Sequence, residues 1–139
     1  MEQKHYRLTL TEKQIHAISN ACELLSRIYI GQLERVADQY MDHPKYHELH
    51  ALMQQAHEIV TGIKNGGPGI FNRTVNNEAR VAWEIYGTIR QFIAYERQPE
   101  GGHSVYFRDP LHESGEVLPQ MERSDGAPDP RPTSLKMAK

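Results

Sequence analysis

Residues 65–102 constrain the fold of this chain more than any other stretch. Gly66, Gly67 and Gly69 surround Pro68, and Pro99 stands just before Gly101-Gly102. Backbone this permissive, next to backbone this rigid, interrupts regular structure, so the segment between the two breaks must be a self-contained element. Within it Ala82, Ile85, Tyr86, Ile89, Phe92 and Ile93 recur at three- and four-residue spacing. That spacing predicts a helix from about Glu78 to Gln98, capped by Asn76-Asn77 and stopped at Pro99.

The flanking segments carry other periods. Tyr6, Leu8 and Leu10 alternate with His5, Arg7 and Thr9, the pattern of a short half-buried strand. Thr11 with Gln14 three residues later forms a capping box. The stripe Ile15, Ile18, Cys22, Leu25, Tyr29, Leu33, Val36 and Tyr40 then predicts one long helix running across Gly31. Pro44 suits the first turn of a second helix, with Leu49, Leu52, Met53, Ala56, Ile59, Val60 and Ile63 on its apolar side. The short connection predicts an antiparallel αα-hairpin. His103–Arg108 alternates again and reads as a second strand paired with the first, and Glu116–Pro119 as a short edge strand. The expected fold is therefore α+β: a three-helix core, made of a long αα-hairpin and a third helix, packed with a small antiparallel sheet. A chain of 139 residues has room for one such domain, placed at 1–121. Residues 122–139, with Pro128, Pro130 and Pro132, read as a tail that is disordered or ordered by a partner.

Composition narrows the function classes. The net charge of −2 argues against a general nucleic-acid binder, which needs a basic face strong enough to show in the total. No run of about 18 apolar residues is present to span a membrane, and the N-terminus has no apolar signal region. The single cysteine, Cys22, lies on an apolar stripe and fits a buried thiol in a reducing compartment. These features together predict a cytoplasmic protein. The apolar excess on the first helix, with Leu24, Leu25, Ile28, Tyr29, Ile30 and Leu33 covering more than one face, suggests either self-association or burial between the hairpin partner and the sheet.

Three features bear on chemistry. On the third predicted helix Arg80, Trp83, Gly87, Arg90, Ala94 and Arg97 share one sector. Arg80 has Glu84 four residues on, an ordinary helical ion pair, whereas Arg90 has Tyr86, Gly87, Ile93 and Ala94 at its neighbouring positions, so it has no acidic partner in its own helix and small residues at 87 and 94 beside it. Such an arginine is suited to grip a phosphate or carboxylate with two parallel N–H donors; the plainer reading is a salt bridge elsewhere in the fold. The glycine-rich loop could offer backbone N–H groups to an anion, with Phe71 to stack and Asn72 and Arg73 to read polar edges. It lacks the Gly-Lys-Ser/Thr of a phosphate loop and follows no strand, so a plain connector is the competing reading. His43, His47, His50 and His57 fall on one stripe, but without a His-Glu-x-x-His pattern or a nearby cysteine they read as a solvated helix face. No serine stands in a nucleophile elbow. A non-enzymatic binder is expected, with Phe71, Asn72, Arg73, Arg80, Arg90 and Arg108 as ligand-binding candidates and no metal or cofactor.

The chain also resembles a known group. Leu8-Thr-Leu-Thr11, Ser26-Arg27-Ile28-Tyr29-Ile30-Gly31-Gln32-Leu33, Ala79-Arg80-Val81-Ala82-Trp83-Glu84-Ile85-Tyr86, Pro99-Glu100-Gly101-Gly102 and Ser114-Gly115-Glu116-Val117-Leu118-Pro119 carry the likeness, over about residues 5–120. It resembles a family of small tailed-phage and prophage proteins, mostly without an assigned function. Its layout is similar to phage anti-Thoeris sponge proteins, which bind cyclic ADP-ribose-type messengers as oligomers. The resemblance implies an anti-defence protein in the host cytoplasm, a homo-oligomer that sequesters a nucleotide-like signal or, alternatively, blocks a host protein. None of the six candidate residues is carried over from it.

Overall fold

Thr11 starts the first helix as its sequence predicts. Its hydroxyl accepts from Gln14 N (3.3 Å), and Gln14 Oε1 accepts from Thr11 N (2.9 Å), so two donors at the helix start are satisfied reciprocally. The computed structural model describes residues 2–133. Among those residues four α-helices follow in order: α1, Glu12–Tyr29; α2, Glu34–Ala37; α3, Tyr46–Thr61; and α4, Asn77–Arg97. Two 3-10 turns, Asp38–Tyr40 and Val105–Phe107, are also present among the described residues.

Helix α1 ends at Gly31 and does not cross it. Gly31 has φ +86°, Gly31 N donates to Ile28 O (3.0 Å), and Gln32 N donates to Arg27 O (2.9 Å). This is a Schellman C-cap, which needs a left-handed residue and takes glycine for want of a Cβ. The predicted long helix is thus three pieces, α1, α2 and the turn at 38–40. The break also re-aims the chain. Helix α3 packs on α2 and on that turn, and it touches neither α1 nor α4. The expected αα-hairpin between the first and second long helices does not form.

The main packing is α1 on α4. The C-terminal end of α1 meets the N-terminal end of α4: Ser26 Oγ donates to Ala79 O (2.7 Å) deep in the contact, and Tyr29 donates to Glu78 at its rim. The apolar core is small, with Ala79, Ala82, Ile89 and Phe92 buried on α4. Among the described residues as many polar side chains as apolar ones are buried, so hydrogen bonds fix the arrangement along with apolar burial.

The buried polar side of α4 is covered by residues 109–116, a strap from the chain's own C-terminal region. Glu84 is 2% exposed, and its carboxylate accepts from Glu113 N (2.6 Å), Ser114 N (2.7 Å) and Ser114 Oγ (2.5 Å). Gln91 donates to Asp109 (3.3 Å), and Pro110 lies against Gly87, 3.3 Å from where a Cβ would stand. Further on, Arg123 pairs with Glu96 (3.5 Å) and Arg131 sits 5.4 Å from the Phe92 ring, so residues 123–131 also lie along α4. Of the expected tail, 134–139 fall outside the described residues.

The α+β expectation is overturned: the fold is all-α, and no strand or sheet occurs among the described residues. Residues 5–10 belong to no helix or strand, with Tyr6 89% and Leu8 75% exposed. A lone segment has no ladder to hold it, and its supposed partner went elsewhere. Ser104 Oγ captures Tyr106 N (3.3 Å), which winds 105–107 into a 3-10 turn instead. Phe107 then packs edge-on against Tyr95, with ring centroids 5.1 Å apart. Residues 116–119 form no strand either.

Candidate ligand site

The glycine-rich loop is tied down by one arginine. Arg80, 6% exposed, donates from Nη1 to Ile70 O (3.0 Å) and Asn72 O (3.2 Å), from Nη2 to Val75 O (3.3 Å) and from Nε to Asn77 Oδ1 (2.8 Å). A guanidinium has five N–H donors in a fixed fork; here loop carbonyls engage Nη1 and Nη2, and the Asn77 side chain engages Nε. The predicted Arg80–Glu84 ion pair does not form, because Glu84 is spent on the strap. Arg80 therefore shapes the loop and is not presented to a ligand. At the other end of the loop, His57 is buried on α3 and its Nε2 donates to Gly66 O (2.6 Å), with Nδ1 3.4 Å from Glu34. So one member of the histidine stripe is a packing residue rather than part of a solvated face.

The loop tip is local in its bonding. Asn72 Oδ1 accepts from Thr74 N (2.9 Å) and Thr74 Oγ1 (2.7 Å), an Asx turn that occupies its acceptor. Phe71 is 64% exposed, and Arg73 is exposed with no side-chain bond among the described residues.

Arg90 lies apart from that loop. Ten residues of α-helix separate it from Arg80, about 15 Å along the axis. Its guanidinium carbon sits 5.0 Å from the Tyr86 ring centroid, 5.9 Å from Trp83 and 5.8 Å from Tyr106. Tyr86 and Trp83 come from α4 one and two turns earlier, and Tyr106 from the 3-10 turn that replaced the second strand. Arg90 makes no ion pair among the described residues, and its Nε is buried without a hydrogen-bond partner. A second cation joins the group: Arg27 of α1 lies 5.3 Å from the same Trp83 ring, held by Glu23 (3.3 Å) and Gln32 (2.9 Å). Arg108, two residues past Tyr106, is exposed and makes no side-chain bond among the described residues.

The six candidates thus divide into three groups. Phe71, Asn72 and Arg73 cluster at the loop over Arg80; Arg90 stands in an aromatic cluster; Arg108 lies near that cluster in sequence through Tyr106. The residues that complete the Arg90 group, Trp83, Tyr86, Tyr106 and Arg27, were not among the candidates. The signal for two of them was present, since Tyr86 and Trp83 precede Arg90 by four and seven residues on one helical face. Tyr106 was hidden by the strand reading, and Arg27 by its distance in sequence. Gly87, beside Arg90, does admit a close neighbour, but that neighbour is the chain's own Pro110.

No group of three or more His, Cys, Asp or Glu suited to a metal occurs among the described residues, and no helix there is long and apolar enough to cross a membrane. Compared with known proteins, the chain matches no family model, no curated protein and no solved structure.

Proposed function

We propose that this protein is a non-enzymatic binder that captures a small, planar, anionic ligand of the nucleotide class at Trp83, Tyr86, Arg90 and Tyr106. One observation carries the proposal: Arg90 is a cation without a carboxylate, surrounded by three aromatic rings, with a buried Nε that has no partner. Burying an unsatisfied donor costs about 1–3 kcal/mol, and an anion accepting from Nε would remove that cost. The rings supply flat faces for a base, and the guanidinium supplies the parallel donors that suit a phosphate.

Magnitudes show what else the site needs. Two charge-assisted hydrogen bonds contribute about 3–6 kcal/mol and one stacked base about 1–3 kcal/mol, against an association cost of at least about 4 kcal/mol. That balance leaves at most about 5 kcal/mol, binding no tighter than a few tenths of a millimolar, so Arg27 or Arg108 is assigned to a second phosphate. A ligand with two phosphates, such as an ADP-ribose-type messenger, fits this better than a mononucleotide. Sequestration of such a messenger is the role that the resemblance to phage anti-defence proteins implies. Calorimetric titration with cyclic nucleotides and ADP-ribose derivatives tests the proposal. Heat of binding from a diphosphate-bearing nucleotide supports it, and a folded protein silent toward every member of the panel sinks it.

A further inference from the structure

Helix α3 carries an apolar seam that the described residues leave partly uncovered, with Leu49 and Ala56 half-buried and Leu52 and Ile59 exposed. Its inner side faces α2 and the turn at 38–40, burying His57 and partly covering Tyr46, His50 and Met53. A second stripe, Leu49, Leu52, Ala56 and Ile59, runs at spacings of three, four and three along the neighbouring side. This is the a/d spacing by which one helix seats side chains between those of another. Leu52 is half exposed and Ile59 is 84% exposed, with Val60 exposed alongside. The expected surplus on the first helix, by contrast, is largely covered, with only Leu25 of that set exposed.

We propose that this seam is the interface between two copies of the chain, with the α3 helices packed antiparallel about a two-fold axis. Three observations select a second copy. First, the spacing demands a helix as occupant, and α3 is itself a helix with that spacing. Second, of the positions flanking the seam Met53, Gln55 and Val60 are uncharged, and the one charged flank, Glu48, falls opposite Val60 in an antiparallel pair, so like charges do not meet. Third, both halves of a knob-and-socket contact lie on one chain. A cavity of about 340 Å³, lined by Tyr40, His43, Lys45, Glu48, Leu49 and Leu52, opens at the N-terminal end of the seam. Ile59, the most exposed aliphatic side chain of α3, projects ten residues later, about 15 Å along the axis. An antiparallel pair sets each Ile59 opposite the other copy's Leu49 and into that cavity, and each Leu52 opposite Ala56. A two-fold axis makes the contact twice, the self-complementarity that a closed dimer requires. A parallel pair would put Ile59 against Ile59 and leave both cavities unfilled.

The experiment is sedimentation of the full chain at micromolar concentration, with disulfide trapping to give direction. The wild type is expected to sediment as a dimer, and Ile59→Glu as a monomer with an unchanged helical circular-dichroism spectrum, since Ile59 is 84% exposed. In a Cys22→Ser background, Ile59→Cys mixed with Leu49→Cys is expected to give a crosslinked dimer on oxidation, while Ile59→Cys alone gives at least tenfold less. A monomeric wild type overturns the proposal and leaves α3 to a different protein. A dimer unaffected by Ile59→Glu overturns the assignment of the seam. Efficient crosslinking of Ile59→Cys to itself overturns the antiparallel order.

Discussion

Replacing Glu84 with alanine should release residues 109–116 from α4 while leaving the α1–α4 contact in place. Glu84 is 2% exposed, and three donors of the strap end on its carboxylate at 2.5–2.7 Å. Each charge-assisted hydrogen bond contributes about 1.5–3 kcal/mol, so the three could total as much as about 9 kcal/mol. Two effects reduce this. Removing Glu84 also removes a buried charge whose desolvation opposed folding. The strap lies at the surface, so its freed amides can turn to water instead of staying buried and unpaired. The expected loss is then about 3 kcal/mol, the cost of undocking the strap. Denaturant unfolding measures the loss. Amide exchange locates it, with Glu113 and Ser114 losing protection while mid-α4 amides exchange only through global unfolding. A loss below about 1 kcal/mol with Ser114 still protected would show that other contacts, such as Pro110 on Gly87, hold the strap, and would refute the reasoning.

Three further outcomes are expected. Gly31→Ala should lower stability by about 1–2 kcal/mol, read as a drop in Tm, because φ +86° strains an L-residue and its Cβ would run into Thr61. Arg80→Ala should leave the α1–α4 packing folded but open the loop at 66–73 to limited proteolysis, since it removes four hydrogen bonds that hold carbonyls and the Asn77 side chain. Cys22 should alkylate more slowly than a free thiol at neutral pH, because burial pushes its thiol up and the thiolate is the nucleophile. Mass-spectrometric timing of its reaction with iodoacetamide checks this.

How much of the fold was legible depended on whether a signal was local. The capping box at Thr11 and Gln14 and the Asn76 cap, whose side chain accepts from Glu78 N (2.9 Å), are fixed by a few neighbouring residues and appear as predicted. Gly31 was equally local but ambiguous. The apolar stripe continues past it, and only the Schellman bonds to Ile28 and Arg27 show the helix ending there. The strands failed for the opposite reason. Alternation at 5–10 and 103–108 states a preference, but a strand exists only with a partner, and a serine hydroxyl at Ser104 was enough to redirect the second segment.

At the candidate site the sector holding Arg90 and Trp83 was readable from helical spacing alone. What Arg80 and Glu84 do was not. Four residues apart, they look like a surface pair, yet each is consumed by a different segment, the glycine loop and the strap, that sequence spacing cannot place.

The central claim can be read through Trp83, the only tryptophan in the chain and a wall of the proposed site. Titrating the protein with an ADP-ribose-type nucleotide should change its fluorescence saturably. The change should vanish in Arg90→Ala and persist in Arg73→Ala, whose side chain lies at the loop. A flat titration for the wild type, or a response lost with Arg73 and kept without Arg90, would contradict the account.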